Sequence, residues 1–266
     1  MLEARNLSVS LGTGRLRRQV LCGLNVEVSA GRWTCVLGPN GSGKSTLLKT
    51  LAGVWHAGAV GAGAQVQGDV LLRGAPLSRL PARQRAQTVA WLAQGEPEAT
   101  ANDLSAYDVA MLGRLPHRGW LAAPGPQDHA AVEQALRRTH AWDWRHRPLG
   151  ALSGGERQRV LLARLLAVQA SVLLMDEPIA NLDPPHQADW LRLVRDLVKQ
   201  GHTVVSVLHD VSLALLADDL VLLRQGVVHH AGPSHSEAAR AAIESVFDHR
   251  LRLVRTEEGG WVAAPC

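Results

Sequence analysis

Apolar and polar residues alternate over Leu7-Ser8-Val9-Ser10-Leu11, the period of a half-buried strand, and Val20 to Val28 reads the same way. Trp33-Thr34-Cys35-Val36-Leu37 is instead a short apolar run closed by Gly38, as expected of a strand buried on both faces. Lys44 to Leu51 switches to helical spacing and ends near Gly53. Gly58 to Gly68 is rich in Gly and Ala, lacks any period, and predicts a flexible loop. Asp69 to Gly74 predicts a strand and turn, Arg79 to Arg85 the start of a short helix, and Val89 to Gln94 a further buried strand. From Gly95 to about Ala151 the character changes. Loops at Gly95-Glu96-Pro97-Glu98 and at Ala122 to Pro126 separate helical stretches at Leu104 to Leu112 and Asp128 to Thr139, which predicts a helical insertion. Beyond it lie a helix at Arg157 to Val168, an apolar strand at Ser171 to Met175 and an amphipathic helix at His186 to Gln200. A strand at Thr203 to Leu208, a helix at Val211 to Leu216 and a hairpin around Gln225-Gly226 follow. Strands alternating with helices predict an α/β fold with a mainly parallel sheet covered on both faces.

Length and composition narrow the class. A chain of 266 residues, 46 % hydrophobic and 20 % charged, buries a sizeable core as one large domain or a domain with an insertion. The net charge of +4 comes from 25 Arg and 3 Lys, and the densest basic stretch is Arg15-Leu16-Arg17-Arg18. That is a solvated surface rather than a nucleic-acid footprint. Cys22, Cys35 and Cys266 show no paired spacing, so they read as reduced thiols with no metal pattern. The segment after Met1 has no signal-peptide character. The most apolar stretch, Val160 to Met175, is broken by Arg164, Gln169 and Ser171 and is too short to span a bilayer. A soluble chain is expected, with any membrane role supplied by partner subunits.

Two glycine-rich turns carry the chemistry. Gly38-Pro39-Asn40-Gly41-Ser42-Gly43-Lys44-Ser45-Thr46 fits the phosphate-loop pattern, with the required strand before it and helix after it. Its glycines leave room for backbone N–H groups to face phosphate oxygens, and the helix adds its positive end. Lys44 brings a point charge to the outer phosphates and Ser45 a hydroxyl to Mg²⁺. Ser153-Gly154-Gly155, opening the helix near Arg157, is a second anion site by the same physics or a plain N-cap with turn glycines. At the end of the apolar strand Val172-Leu173-Leu174-Met175 stand two carboxylates. Asp176 is placed to orient Mg²⁺, and Glu177 to polarise an attacking water as general base.

Leu152-Ser153-Gly154-Gly155-Glu156-Arg157-Gln158-Arg159 resembles the signature sequence of ABC-transporter ATPase subunits, and the resemblance covers nearly the whole chain in that family's order. Gly38 to Thr46 is similar to its Walker A, Val172 to Glu177 to its Walker B, and Gln94 to its Q-loop glutamine. Ala180-Asn181-Leu182-Asp183 is similar to its D-loop and His209 to its switch histidine. The resemblance implies a P-loop NTPase core with a mainly parallel sheet, an N-terminal antiparallel β-subdomain and an inserted α-helical subdomain. The core would comprise about residues 1–94 and 160–266, the helical subdomain about 95–159. It implies ATP and Mg²⁺ as ligands, and a head-to-tail homodimer in which Ser153 and Gly155 reach the γ-phosphate held by the other copy. Gln94 would sense Mg²⁺ and couple the helical subdomain to a permease. His209 would help position the attacking water, and Asp183 would link the two sites.

Two features refine this. Where the family has an adenine-stacking aromatic, this chain has Leu11, and no Tyr, Phe or Trp precedes Trp33, which leaves Leu11, Leu16 or Val20 to carry the base. Val109-Ala110-Met111-Leu112-Gly113-Arg114-Leu115-Pro116-His117 resembles a stretch in the ATPases of importers for iron-siderophores, haem and vitamin B12. That branch implies integral-membrane permease subunits, an indirect substrate-binding protein and a peripheral location on the cytoplasmic face of the inner membrane. A soluble ATPase of the same fold acting on nucleic acid or ribosomes is the alternative, as is a nucleotide-binding regulator without turnover. His229, His230 and His235 lack ligand spacing and read as surface loop residues.

Overall fold

The computed structural model describes residues 1–56, 63–95, 102–119, 122–257 and 259–266. In chain order the elements are β1 (Leu2–Leu11), β2 (Arg18–Val28), β3 (Trp33–Leu37), α1 (Lys44–Leu51), β4 (Ala64–Leu72), β5 (Ala75–Pro76), α2 (Ala82–Thr88) and β6 (Val89–Leu92). Then come α3 (Ala106–Met111), a 3₁₀ segment (Leu112–His117), α4 (Pro126–Arg138), α5 (Gly154–Ala167), β7 (Val172–Asp176) and α6 (Pro184–Lys199). The chain finishes with β8 (Thr203–Val207), α7 (Val211–Ala214), β9 (Asp219–Arg224), β10 (Val227–Pro233), α8 (Glu237–Val246), β11 (Leu251–Arg255) and β12 (Trp261–Pro265). These fall into two compact units: Met1–Leu80 with Thr203–Cys266, and Pro81–His202.

In the first unit, β1 pairs antiparallel with β2 and β4, and β4 with β5. Leu2 and Ala4 are buried, and so are Leu7 and Val9, although the two pairs are out of phase by one residue. Asn6 resolves the conflict. Its φ of 47° inserts a bulge, its N–H donates to Asn25 Oδ1 at 2.9 Å, and the register shifts between Ala4 and Leu7. A bulge moves apolar residues back to the core face. Gly68 on β4 faces the bulge, where a Cβ would meet the Asn6 carbonyl oxygen at 2.3 Å. The loop expected over Gly58 to Gly68 is therefore corrected from residue 64 onward. Those residues pair with β1, and Gly68 is a bulge glycine. Residues 58–62 of that loop, and Glu96 to Glu98 of the next, lie outside the described residues.

Also in this unit, β3 runs parallel to β8 and β9, and β9 joins β10 through a hairpin at Gln225 and Gly226, both with positive φ. All five residues of β3 and of β8 are buried, as their unbroken apolar runs require. The helix α8, absent from the elements expected above, is capped by Ser236 and buries Ala239, Ile243 and Val246. Their spacing of four and three residues is the helical signal that marks it.

In the second unit, β6 runs parallel to β7, and α5 packs against α3 and α4. The helix expected from Arg79 starts only at Ala82, because Pro81 at the cap position pushes the preceding Leu80 into extended backbone, with φ −72° and ψ 137°. Ser105 starts α3 two residues later than the periodicity suggests, its hydroxyl accepting from the Asp108 N–H at 3.1 Å. Ser153 starts α5 earlier than expected, at Gly154, through a capping box with Glu156.

Candidate functional site

The first unit holds the phosphate loop between the buried end of β3 and the start of α1. Gly38 has φ 152°, and a Cβ there would stand 2.0 Å from the Leu223 carbonyl oxygen. Gly43, the N-cap of α1, has φ 103°, and its Cβ would meet Leu21 at 2.6 Å. Only glycine fits either position. The β9–β10 hairpin braces the loop from the side, with the Gly226 N–H donating to the Ser42 carbonyl at 3.1 Å.

Lys44 is 6 % exposed, and its Nζ donates to the carbonyls of Gly38 and Pro39 at 2.8 and 3.1 Å. A buried ammonium turned back on the loop's own carbonyls is poised to take phosphate oxygens instead. The Ser42 hydroxyl is buried and has no hydrogen-bond partner, which leaves it free for an anion. Beside the loop opens a cleft of about 630 Å³ whose lining includes Leu11, Arg18, Val20 and Asp248 together with Pro39 to Ser42. Leu11 and Val20, two of the three residues expected to carry a base, line this cleft, whereas Leu16 is 87 % exposed and is not among its lining residues. Arg18 and Asp248 escaped that reading because pairing and chain return, not local pattern, bring them there. His209 follows β8 and is exposed.

The second unit holds the carboxylates. Asp176 ends β7 at 1 % exposure. Glu177, half-buried, follows with φ 51°, a left-handed conformation that is costly for a residue with a Cβ. Gln94, two residues past the end of β6, donates through Nε2 to Glu177 Oε1 at 2.6 Å. The parallel pairing of β6 with β7 brings these two side chains to one edge. A buried carboxylate beside a glutamine amide is a hard-oxygen donor set suited to Mg²⁺. Among the described residues no cluster of three His, Cys, Asp or Glu side chains exists that would bind a metal unaided.

Ser153 caps α5. Its hydroxyl accepts from the Glu156 N–H at 3.3 Å, and the Glu156 carboxylate accepts from the Ser153 N–H at 2.8 Å. That backbone donor, more than any other group, holds the Glu156 carboxyl below its usual range. Gly154 and Gly155 pack on Asn181, where a Cβ at Gly155 would stand 3.1 Å from the Asn181 carbonyl. Gln158 ties the same helix to the Pro178 carbonyl at 3.0 Å. Asp183 caps α6, its Oδ1 accepting from the His186 N–H at 3.4 Å. The structure thus brings Gln94 to Glu177, and the Ser153 turn to the loop that carries Asn181.

The ABC transporter domain family matches residues 21–180, more than half of the chain. The chain belongs to that family. It is 41 % identical to the hemin import ATP-binding protein HmuV of Streptomyces coelicolor, over 95 % of this chain and 85 % of that one. It is 34 % identical to the iron(3+)-hydroxamate import ATP-binding protein FhuC of Bacillus subtilis, over 92 % and 88 %. A solved ABC transporter in an inward-facing conformation superposes with a TM-score of 0.78 at 25 % identity, over 100 % of this chain and 97 % of that one. The ABC ATPase fold seen here is therefore the one the sequence motifs imply. No helix among the described residues is long and apolar enough to cross a membrane.

Proposed function

We propose that this chain is the ATP-hydrolysing subunit of an importer for a metal chelate, of the haem, iron-siderophore or cobalamin kind. The observation that carries the reading is the pair of glycine turns, each opening a helix, one in each unit: Gly38 to Lys44, and Ser153 to Gly155. Two anion-binding turns in one chain make sense when each copy completes the site of another. The names of the relatives favour import over a soluble role on nucleic acid or ribosomes.

Gly38 to Thr46 cradles the phosphates, with Lys44 leaving its own carbonyls for the outer oxygens. Ser45 in the first unit, and Asp176 and Gln94 in the second, are the oxygen donors that would hold Mg²⁺, and the ion when bound would supply positive charge against the phosphate oxygens. Glu177 takes a proton from the attacking water, and His209 orients that water. Ser153, Gly154 and Gly155 face the phosphates held by the partner subunit's Lys44, and Asp183 links the two sites. The helical subdomain, about residues 95–159, meets the permease, which keeps the subunit peripheral on the cytoplasmic face. A substrate-binding protein would deliver the cargo from the other side.

Sedimentation of purified Glu177→Gln tests the reading. With ATP and Mg²⁺ it should run as a dimer, and a second change, Ser153→Arg, should return it to monomer by filling the anion turn. A monomer in every condition, or a dimer indifferent to Ser153→Arg, sinks the shared-site account.

A further inference from the structure

The 3₁₀ segment Leu112–His117 lies against the far end of α5, away from the Ser153 turn, and its side chains take hold of that end. The Arg114 guanidinium is 5 % exposed. It donates through Nη1 to the Ala167 carbonyl at 2.7 Å and to Gln169 Oε1 at 3.0 Å. Through Nε it donates to Asp128 Oδ1 at 2.9 Å, and the other oxygen of Asp128 accepts the Gly125 N–H at the start of α4. His117 Nε2 donates to the Val168 carbonyl at 2.8 Å, since a carbonyl can only accept. The last carbonyls of a helix have no partner within it, and a cation there also meets the negative end of the dipole. Gln169, just past the helix, takes φ 57° without being glycine, and the Arg114 bond to its side chain holds it there. Gly113 allows the approach, because a Cβ would stand 2.2 Å from the Arg164 carbonyl.

The other side of the same segment faces α2. Arg83 donates to the carbonyls of Pro116 and His117 at 2.9 and 2.8 Å, and Gln87 donates to Pro116 at 2.8 Å. Helix α2 runs without interruption into β6, and Gln94 follows two residues past the end of that strand. One short segment therefore ties the element that leads to Gln94 to the helix that begins at Ser153.

We infer that Arg114 and His117 are positioning residues that fix the signature helix relative to the strand leading to Gln94, so that the Ser153 turn and Gln94 keep one spacing during turnover. The inference rests on the proposed ATPase role, for it assigns the segment an effect on turnover. Neither residue is among those lining the cleft beside the phosphate loop. Loss of their grip lowers the rate of the chemical step and leaves nucleotide affinity, set by the loop at Lys44, as it was.

The test compares purified full-length parent, His117→Ala, His117→Gln and Arg83→Ala with ATP and Mg²⁺. Arg83 is exposed, so its variant stays folded should His117→Ala not. His117→Ala should lower kcat by about three- to tenfold with KM for ATP unchanged, the scale of one lost hydrogen bond. His117→Gln, which can still donate to Val168, should recover to within about twofold of the parent. Arg83→Ala should move kcat in the same direction. Hydrogen exchange at the amides from Ser153 to Arg157 should quicken in His117→Ala and not in His117→Gln. Unchanged kcat in both Ala variants, or equal losses of kcat in His117→Ala and His117→Gln, overturns the inference. A parent that does not hydrolyse ATP overturns the functional reading instead. Exchange then decides alone, and protection at Ser153 to Arg157 indifferent to His117→Ala sinks the positioning role.

Discussion

Gln94 and Glu177, 83 residues apart in sequence, share a hydrogen bond of 2.6 Å from the amide Nε2 to the carboxylate Oε1. The acceptor is the carboxylate assigned as general base, held on a residue whose φ of 51° departs from the usual regions. In the proposed role, this anchored carboxylate is aimed before substrate arrives. Glu177→Gln keeps the shape and removes the base. Its kcat should fall by about 10²- to 10⁴-fold while nucleotide binding persists, read by phosphate release and by equilibrium titration. Turnover near the parent rate would remove Glu177 from the chemistry.

The cleft beside the phosphate loop offers a base the aliphatic Leu11 and Val20 and no aromatic ring. Leu11→Trp should therefore tighten ATP binding by about three- to tenfold through stacking, measured with a fluorescent nucleotide. The parent should discriminate poorly between ATP and GTP, and Leu11→Trp should improve affinity for both, since every base has a π-face. A variant no tighter than the parent would place the base elsewhere.

Cys22 and Cys266 are exposed, whereas Cys35 lies within β3 with its thiol pushed up to about 12 by burial. The thiolate is the reactive form. A thiol reagent at pH 8 should label Cys22 and Cys266 rapidly in the native protein and reach Cys35 only in denaturant. Cys22→Ser with Cys266→Ser should then abolish native labelling.

Acid should loosen the helical part through two carboxylates. The Arg114 guanidinium, with help from the Gly125 N–H, holds Asp128 below its ordinary 3.8, and the Ser153 N–H holds Glu156 below its ordinary 4.5. A carboxyl whose value is lower in the folded state stabilises the fold above its unfolded value and loses that contribution as pH falls through the folded one. Melting temperature should thus hold down to about pH 4.5 and then decline toward pH 3. Asp128→Asn and Glu156→Gln should each melt lower than the parent near neutral pH and show a shallower acid decline. An unchanged acid limb in both variants would assign the loss to other groups.

Much of the chemistry was legible along the chain because it lies in contiguous segments. Gly38 to Thr46 needs only a strand before it and a helix after it, and the limits read for α1 from helical spacing match Lys44–Leu51. The hairpin at Gln225-Gly226 was equally plain from its turn residues. Less legible were features that depend on two distant stretches. Asn6 looks like an end to alternation until β4 lies beside it, and Gly68 looks like part of a loop until it faces that bulge. The segment Gly113 to His117 carried a family likeness without a stated task. Its task emerged only when Arg114 and His117 met the carbonyls of Ala167 and Val168, more than fifty residues away.

The order of apolar and polar residues by itself determined the α/β class, and the contiguous motifs, above all Gly38 to Thr46 and Leu152 to Arg159, carried the likeness to the family. Local geometry needs only neighbours in the chain. The tertiary structure decided which side chains meet: Gln94 with Glu177, Arg114 with the end of α5, and Leu11 with the mouth of the phosphate loop. Strand pairing and helix packing bring these groups together, and no periodicity in one segment encodes the register of another.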